Sequence, residues 1–193
     1  MFEHFKQFFR RRSGATPNRP PPTDDLLPVI IPTGIVNHHL WPGPYNRWND
    51  VLSQTWAHFQ APHTTTYLMK SEAREFEANG IAFAQLALAN LRHHSKEQIW
   101  THAKEKAGEL HFVALLHEDG LGPSRLLLRD ALHQQFSEGF LFCVPERTCA
   151  IVFSKQASPA ALDSVRQVVT GCFRHGTEPV SQRVFEDEDI VTW

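Results

Sequence analysis

The chain has 193 residues, of which 41% are hydrophobic and 21% are charged, and its formal net charge is −2. A chain of this length and composition buries a substantial core without disulfides or metals. The near-neutral charge gives no reason to expect nucleic-acid binding, and no apolar run approaches the roughly 20 residues of a membrane-spanning helix. These values argue against a membrane-spanning protein, a collagen, a coiled coil and a disulfide miniprotein.

The first twelve residues, MFEHFKQFFRRR, combine phenylalanines with cations at the spacing of an amphipathic helix. Such a segment suits an anionic membrane surface or a groove on a partner protein, and the alternative is a frayed or domain-packed terminus. The side chains expected to make membrane or partner contact are Phe5, Phe8, Phe9, Arg10, Arg11 and Arg12. The proline-rich stretch that follows cannot continue a helix, so residues 1–25 are predicted to form a basic aromatic arm and a linker.

Residues 26–186 are predicted to form one domain, followed by an acidic tail at 187–193. Its first strand is the apolar run 27–31, which leads into a loop rich in Pro and Gly. Residues 45–59 fit either a helix, by the spacing of their aromatic side chains, or a strand over their second half. The clearer elements follow in chain order: a strand at 64–67, a helix that Ser71 caps and Asn79-Gly80 ends, a helix at 81–94, strands at 97–104 and 109–117, a helix at 123–136, a hairpin at 140–153, a helix from 158 to about 173, and a closing strand at 180–185.

This mixture of strands and helices, with adjacent strands in a hairpin, predicts an α+β fold. We expect a mixed, largely antiparallel sheet with helices packed mainly on one side. Simple alternation along the strand at 109–117 places His111 and His117 on the same face of that sheet.

Three segments carry a resemblance to a known family: TTTYLMKSEAREFEANGIAFAQLALANL at 64–91, GPSRLLL at 122–128 and FLFCVPERTCAIVFS at 140–154, with SQRVF at 181–185 also similar. In this order they resemble the DUF1444 family of uncharacterised bacterial proteins. Pro145 and Arg147 match the hairpin of the family, whereas Thr148 stands where the family tends to have Asp. Because the activity of the family is unknown, the resemblance implies a fold and a bacterial origin but no chemistry.

The histidines and cysteines do not form a recognisable site. There are 12 His and 3 Cys, but no H-E-x-x-H or C-x-x-C motif, so no metal and no cofactor are expected. His111 and His117 lie about 20 Å apart along one strand and cannot share an ion. If Val144 pairs with Cys149 in the hairpin, Cys143 and Cys149 point to opposite faces, and a disulfide between them is not expected. Three cysteines indicate reduced thiols in a cytoplasmic protein.

The turn between the strand ending at 117 and the helix starting at 123 is the leading candidate for a ligand site. GLGPS at 120–124 precedes a helix N-terminus, whose free N–H groups favour anions, and the strand end offers an imidazole and a carboxylate. Arg125 has a structural alternative, which is an ion pair with Glu118 or Asp119. The candidate binding residues are His117, Glu118, Ser124, Arg125 and, in the hairpin, Arg147.

We therefore expect an intracellular bacterial domain that acts by binding a protein partner rather than by catalysis. One alternative is an enzyme or an anion-binding protein with a site near residues 117–125. The other is a peripheral membrane protein that the N-terminal arm anchors to an anionic surface. The sequence does not decide whether the protein is an enzyme.

Overall fold

Two antiparallel sheets form the framework of the computed structural model, which describes residues 23–37, 40–60, 64–96 and 98–191. The first sheet comprises β1 (Leu26–Pro32), β2 (Tyr45–Arg47), β3 (Leu52–Gln60) and β4 (Thr64–Tyr67), and β3 pairs with each of the others. The second sheet comprises β5 (His102–Lys106), β6 (Glu109–Leu116), β7 (Phe140–Glu146), β8 (Cys149–Ser154) and β9 (Phe185–Glu186), in the spatial order β5-β6-β8-β7-β9. The α+β prediction is confirmed, with the strands divided between two sheets.

The helices lie between and outside these sheets, and a shared core holds the sheets together. They are α1 (Thr33–Val36), α2 (Lys70–Ala78), α3 (Phe83–His94), a 3-10 helix (Pro123–Leu127), α4 (Arg129–Gln135), α5 (Pro159–His175) and a short 3-10 turn (Asp187–Asp189). Side chains of β1 and β3 meet those of β6, β7 and β8 in one core, which the 3-10 helix and α4 complete. The opposite face of the second sheet is covered by α5, and α2 and α3 cover β1 and β3. Each sheet therefore buries its apolar faces, as a layered fold requires.

The second half of residues 45–59 lies in β3 and residues 45–47 form β2, so the strand alternative is confirmed. The central β3 is hydrogen-bonded on both edges, with Pro32 opposite Leu52 and Leu26 opposite His58 along β1. A central strand is buried on both faces, and its aromatic side chains need not alternate with polar ones. Periodicity alone cannot separate such a run from a helix.

The start of α2 differs from its prediction, whereas its end is confirmed. The N–H of Met69 donates to the Glu72 carboxylate at 3.1 Å, and the helix begins at Lys70, so Ser71 lies inside the first turn and is not the N-cap. Gly80 follows the helix with a φ of 71°. Glycine lacks a Cβ and adopts the left-handed conformation that ends a helix with little strain. The Asn79-Gly80 pair therefore predicted this helix end correctly.

A β-bulge in β6 changes the face on which His111 lies. Lys104 pairs with Phe112, but Glu105 pairs with Leu110, so His111 is an extra residue in the ladder. The bulge turns its ring toward α5, where His111 Nδ1 lies 2.9 Å from the Ser164 hydroxyl. The prediction that His111 shares a face with His117 is therefore wrong, because a bulge interrupts the alternation on which it rested.

The single helix predicted over 123–136 is instead a 3-10 helix followed by α4. The chain leaves the helical region at Leu128, which has a ψ of 50°. Leu126, Leu127 and Leu128 are consecutive and all buried in the central core. One face of a regular α-helix cannot bury three successive side chains, so the helix breaks.

The hairpin is confirmed, but its turn is tighter than the four residues that the sequence suggested. Glu146 pairs with Cys149 across a two-residue turn, and the register shifts between Cys143 and Glu146, where Pro145 lacks a donor for the ladder. The shift places Cys143 opposite Ile151 and on the same side of the sheet as Cys149. The prediction that the two thiols point to opposite faces is therefore wrong.

The last described residues pack against the second sheet. Backbone N–H groups of Val180 and Ser181 donate to carbonyls at the end of β7, yet the strand predicted over 180–185 is reduced to the two residues of β9. Within the segment predicted as an acidic tail, Asp187 and Ile190 are buried, and Lys155 Nζ lies 2.7 Å from Asp187.

Residues 23–25, which the sequence assigns to the linker, also contact the domain. The Asn90 side-chain amide donates to the Thr23 carbonyl at 2.7 Å. Asp25 Oδ1 lies 2.8 Å from Nδ1 of the buried His58. Both contacts attach this segment to the first sheet and its covering helix.

Candidate functional site

The turn at 117–125 is closed by an ion pair between the buried Arg125 and Asp119, whose side chain is partly exposed. Arg125 is only 2% exposed, and its two terminal nitrogens donate to Asp119 at 3.1 and 2.7 Å. Asp119 also accepts the N–H of Leu121 at 2.9 Å, while His117 Nε2 lies 3.0 Å from the Ile99 carbonyl. The ion-pair alternative for Arg125 is the one observed, with Asp119 as its partner.

This arrangement gives the turn a structural role. Both terminal nitrogens of Arg125 are used by Asp119, Ser124 is buried beside it, and Glu118 is exposed to solvent. Partial burial opposes ionisation of Asp119, but hydrogen bonds from Arg125 and the backbone, together with the Arg125 charge, outweigh it and lower the pKa of the carboxyl. A Cβ at Gly122 would lie 2.2 Å from two backbone carbonyl oxygens, so only glycine fits where the turn meets the hairpin.

Arg147, the fifth candidate binding residue, makes its contacts away from this turn. Its Nη1 donates to Glu178 at 3.1 Å and its Nη2 to the Tyr67 hydroxyl at 2.8 Å. Burial raises the pKa of Tyr67, and the nearby positive charge of Arg147 partly offsets this increase. Because Tyr67 belongs to β4, the guanidinium connects the two sheets.

Two further expectations concern metals and the arm. Within the part of the chain that the structure describes, no group of three or more His, Cys, Asp or Glu side chains could hold a metal ion. The predicted contact residues of the arm, Phe5, Phe8, Phe9, Arg10, Arg11 and Arg12, lie outside the described residues.

The bulge in β6 brings His111 close to a serine and a glutamate, a grouping that sequence reasoning missed. His111 Nδ1 lies 2.9 Å from the Ser164 hydroxyl and Nε2 lies 3.8 Å from a Glu109 carboxylate oxygen. A serine, a histidine and an acid suggest nucleophilic catalysis. However, the His111 ring is buried between helix and sheet, and Ser164 donates to the Ala160 carbonyl of its own helix. The cluster therefore satisfies a buried imidazole and leaves no approach for a substrate.

Two adjoining depressions flank the C-terminal half of α5, and sequence reasoning identified neither. The basic depression, about 420 Å³, is lined by Arg166, Gln167, Thr170, Gly171, Arg174 and His175. The apolar depression, about 350 Å³, is lined by Leu116, Glu146, Cys149, Gly171, Cys172, His175 and Gly176. Gly171 and His175 belong to both, so the two depressions form one continuous surface across the helix.

Gly171 marks the ridge between the two depressions. It lies inside a helix of 17 residues, where glycine costs roughly 0.5–1 kcal/mol relative to alanine. A Cβ at Gly171 would meet no heavy atom within 4 Å, apart from its own helix and chain neighbours. Packing within the described protein therefore does not require glycine at this position.

The side chains around Gly171 differ in character between the two sides. Arg166 and Arg174 are exposed on the basic side. Arg166 pairs with Asp163 at 3.0 Å, whereas Arg174 has no ionic partner among the described residues. On the other side Leu116, at the end of β6, is 43% exposed. The surface thus combines positive charge with an apolar pocket.

Only part of this surface has a signal in the sequence. The apolar stripe of α5 predicts which face packs on the sheet, and Gly171 stands out as a glycine within that pattern. Leu116, Cys149 and Cys172 come from three separate elements. Their proximity depends on the register of β6 and β8 and on the position of α5, which the sequence pattern does not give.

No protein-family model, no curated protein sequence and no solved structure matches the chain. The resemblance to the DUF1444 family therefore stays a prediction. No helix among the described residues is both long enough and apolar enough to cross a bilayer.

Proposed function

We propose that this protein acts by binding a partner protein, and that it docks an acidic amphipathic helix on the outer face of α5. The observation that carries the proposal is Gly171, a helix-interior glycine at the junction of two depressions with open space where its side chain would be. A glycine at this position lowers the stability of the free protein. Close approach of a partner's backbone would explain why the position has no side chain.

The charge of the surface supports an acidic partner. Arg166 and Arg174 lie eight residues apart on the helix, or about 12 Å at the rise of an α-helix. Two carboxylates about two turns apart on a partner helix could reach this pair. Charge complementarity of this kind accelerates association and excludes basic partners.

The shape of the surface supports a helical partner with an apolar side chain. Helices pack by placing side-chain ridges into grooves, and a small residue at the crossing point lets the axes approach closely. The apolar depression beside Gly171 offers a place for one apolar anchor next to Leu116 and Cys172. A partner with acidic residues on one side and a leucine or phenylalanine on the other fits both depressions.

The proposal includes the setting implied by the sequence, which is a cytoplasmic protein of the DUF1444 family. A catalytic or anion-binding role for the turn at 117–125 has less support. Both terminal nitrogens of Arg125 are occupied by Asp119, and the 3-10 helix that follows has only five residues.

A displayed library of acidic amphipathic helices, each about 18 residues or five turns long, tests the proposal. Selected peptides are labelled with fluorescein, and their binding to the full chain is measured by fluorescence anisotropy at low and high salt. We expect binding that weakens as salt rises, because two arginines contribute to it.

Variants locate the binding surface. Gly171→Trp fills the crossing point and Arg174→Glu reverses the charge, so either change should abolish binding. Arg92→Glu, an equal charge reversal at an exposed arginine of α3, is the matched control and should leave binding intact. Peptides that bind wild type and Gly171→Trp equally, or a library that yields no binder, would overturn the proposal.

A further inference from the structure

Two of the three cysteines lie together in the apolar depression. Cys149 belongs to β8 and Cys172 to α5, which covers that face of the sheet, and both side chains belong to the same packed cluster. All three cysteines are free thiols, and Cys143 shares the cluster but does not line the depression. The fold thus brings together two thiols that are 23 positions apart in the sequence.

The two thiols differ in their access to solvent. Cys149 is only 3% exposed, whereas Cys172 is half-buried at the wall of the depression. Burial raises the pKa of Cys149, and the neighbouring Cys172 and Glu146 raise it further, so Cys149 stays protonated at neutral pH. Cys172 is therefore the thiol that a small reagent reaches first.

We infer that Cys172 is an oxidation site for hydroperoxides and that Cys149 resolves the oxidised sulfur to a disulfide. In the first step the Cys172 sulfur attacks one peroxide oxygen, the O–O bond breaks, and Cys172 becomes a sulfenic acid. The other oxygen takes up the proton and leaves as water or an alcohol. In the second step the Cys149 sulfur attacks the Cys172 sulfur and the S–O bond breaks. The thiol proton of Cys149 passes to the departing hydroxyl, which leaves as water. Two thiols and one hydroperoxide give one disulfide, with the peroxide reduced.

The disulfide would change the surface proposed for helix docking, and this part of the inference rests on the proposed function. A disulfide holds its two Cα atoms within about 4.4–6.8 Å, so its formation fixes the last turns of α5 against β8. Cys172 is adjacent to Gly171, and a disulfide replaces the two thiols in the wall of the apolar depression. We expect the oxidised protein to bind an acidic amphipathic peptide about tenfold more weakly, within the usual range of coupling between sites.

Mass spectrometry of the full chain tests the disulfide without reference to binding. The folded protein is treated with hydrogen peroxide, its remaining thiols are blocked with N-ethylmaleimide, and it is digested with trypsin. Cleavage after Arg147 places Cys143 and Cys149 in different peptides, so each pairing is distinguishable. We expect a cross-linked pair of the peptides 148–155 and 167–174, which a reductant separates.

Single substitutions assign the two roles. Cys149→Ala should leave Cys172 as a sulfenic acid that dimedone traps, Cys172→Ala should leave Cys149 unoxidised, and the control Cys143→Ala should form the disulfide as wild type does. Circular dichroism establishes that each variant is folded. Absence of the 149–172 cross-link in oxidised wild-type protein, or its replacement by a link through Cys143, would overturn the inference.

Peptide binding is then compared between oxidised and reduced protein. A disulfide that forms but leaves the binding of a selected peptide unchanged would overturn the regulatory part and keep the oxidation site. If the library yields no peptide, the proposed function fails while the cross-link still decides the oxidation chemistry. The failures of the two proposals are therefore distinguishable.

Discussion

The buried guanidinium of Arg125 is stabilised by Asp119, whose carboxylate accepts a hydrogen bond from each of its two terminal nitrogens. Asp119→Asn should lower the free energy of unfolding by about 2–3 kcal/mol, since a buried guanidinium then lacks its charged partner. Urea denaturation measures this loss. The double variant Asp119→Asn/Arg125→Met should recover much of it, because an apolar side chain needs no partner. A single variant as stable as wild type would show that water already solvates Arg125.

The same pair predicts a pH dependence. The pKa of Asp119 is lowered in the folded protein, so its contribution to stability is complete above the unfolded value of about 3.9. That contribution is lost as the pH falls through the lower, folded-state pKa. The difference in unfolding free energy between wild type and Asp119→Asn should therefore shrink in acid. A constant difference between pH 6 and pH 2, as rough limits, would contradict this assignment.

Two glycines near the end of α5 should respond in opposite ways to alanine. Gly171→Ala should raise the free energy of unfolding by about 0.5–1 kcal/mol, because alanine favours the helix and its Cβ meets open space. Gly176→Ala should lower it by about 1–3 kcal/mol, because its Cβ would clash with Glu146 and the Cys172 carbonyl. Thermal denaturation of both variants measures the signs, and a destabilising Gly171→Ala would remove the argument for an external partner.

At the scale of elements, the β7–β8 hairpin organises the central core. Phe142 is fully buried, stacks on Phe185 with ring centroids 5.4 Å apart and meets the edge of Trp48. Phe142→Ala should cost about 3–5 kcal/mol in unfolding free energy, as a large cavity in a packed core does. Tyr45→Ala, at an exposed aromatic on β2, is the control and should cost much less. Equal midpoints in guanidinium chloride for the two variants would contradict the placement of Phe142.

The elements also show where sequence patterns succeed and fail. Turn residues and apolar runs predicted the hairpin, the end of α2 and the start of α5, where the Ser158 hydroxyl accepts the Ala161 N–H. These signals are local, because each depends on residues a few positions apart. The two β-bulges escaped prediction, and with them the faces of His111 and Cys143, because a bulge reflects the pairing of two distant strands.

At the scale of the whole molecule, the ends of the described chain contribute to the fold. Removal of residues 1–22 should change the melting temperature little. Removal of residues 1–25 should lower the melting temperature and reduce the free energy of unfolding by more than about 1 kcal/mol. The longer deletion removes the hydrogen bond between Asp25 and the buried His58 and the one from Asn90 to the Thr23 carbonyl. Calorimetry of the two truncated proteins measures the difference, and equal melting temperatures would show that these contacts contribute nothing.

The arm remains a candidate for membrane contact. Residues 1–22 contain five cations, Lys6, Arg10, Arg11, Arg12 and Arg19, against Glu3 alone. The acidic segment at the other end of the chain could attract these cations, but Lys155 already lies within 4 Å of its Glu186, Asp187 and Glu188. We expect salt-sensitive binding to anionic vesicles that is lost when Phe5, Phe8 and Phe9 become alanine. Equal flotation of full-length and arm-deleted protein would end this hypothesis.

Local patterns in the sequence were sufficient to predict the class of fold and most of its elements. Hydrophobic periodicity, helix caps and turn residues act over a few positions. They made Glu118 and Asp119 the candidate partners of Arg125, because these acids lie only seven and six positions before it. These local patterns did not predict the contacts of Arg147. The sequence grouped this residue with the candidates of the turn at 117–125, whereas in the structure it donates a hydrogen bond to Tyr67 in the other sheet.

The division of the strands into two sheets and the contacts between distant residues depend on long-range packing. The Cys149–Cys172 pair, the two depressions and the burial of Ile190 all depend on strand register and on the docking of α5. Register is set by the summed packing of whole faces, and one extra residue in a strand reverses which side chains share a face. A candidate site built from three separate elements therefore becomes visible only when those faces are assembled.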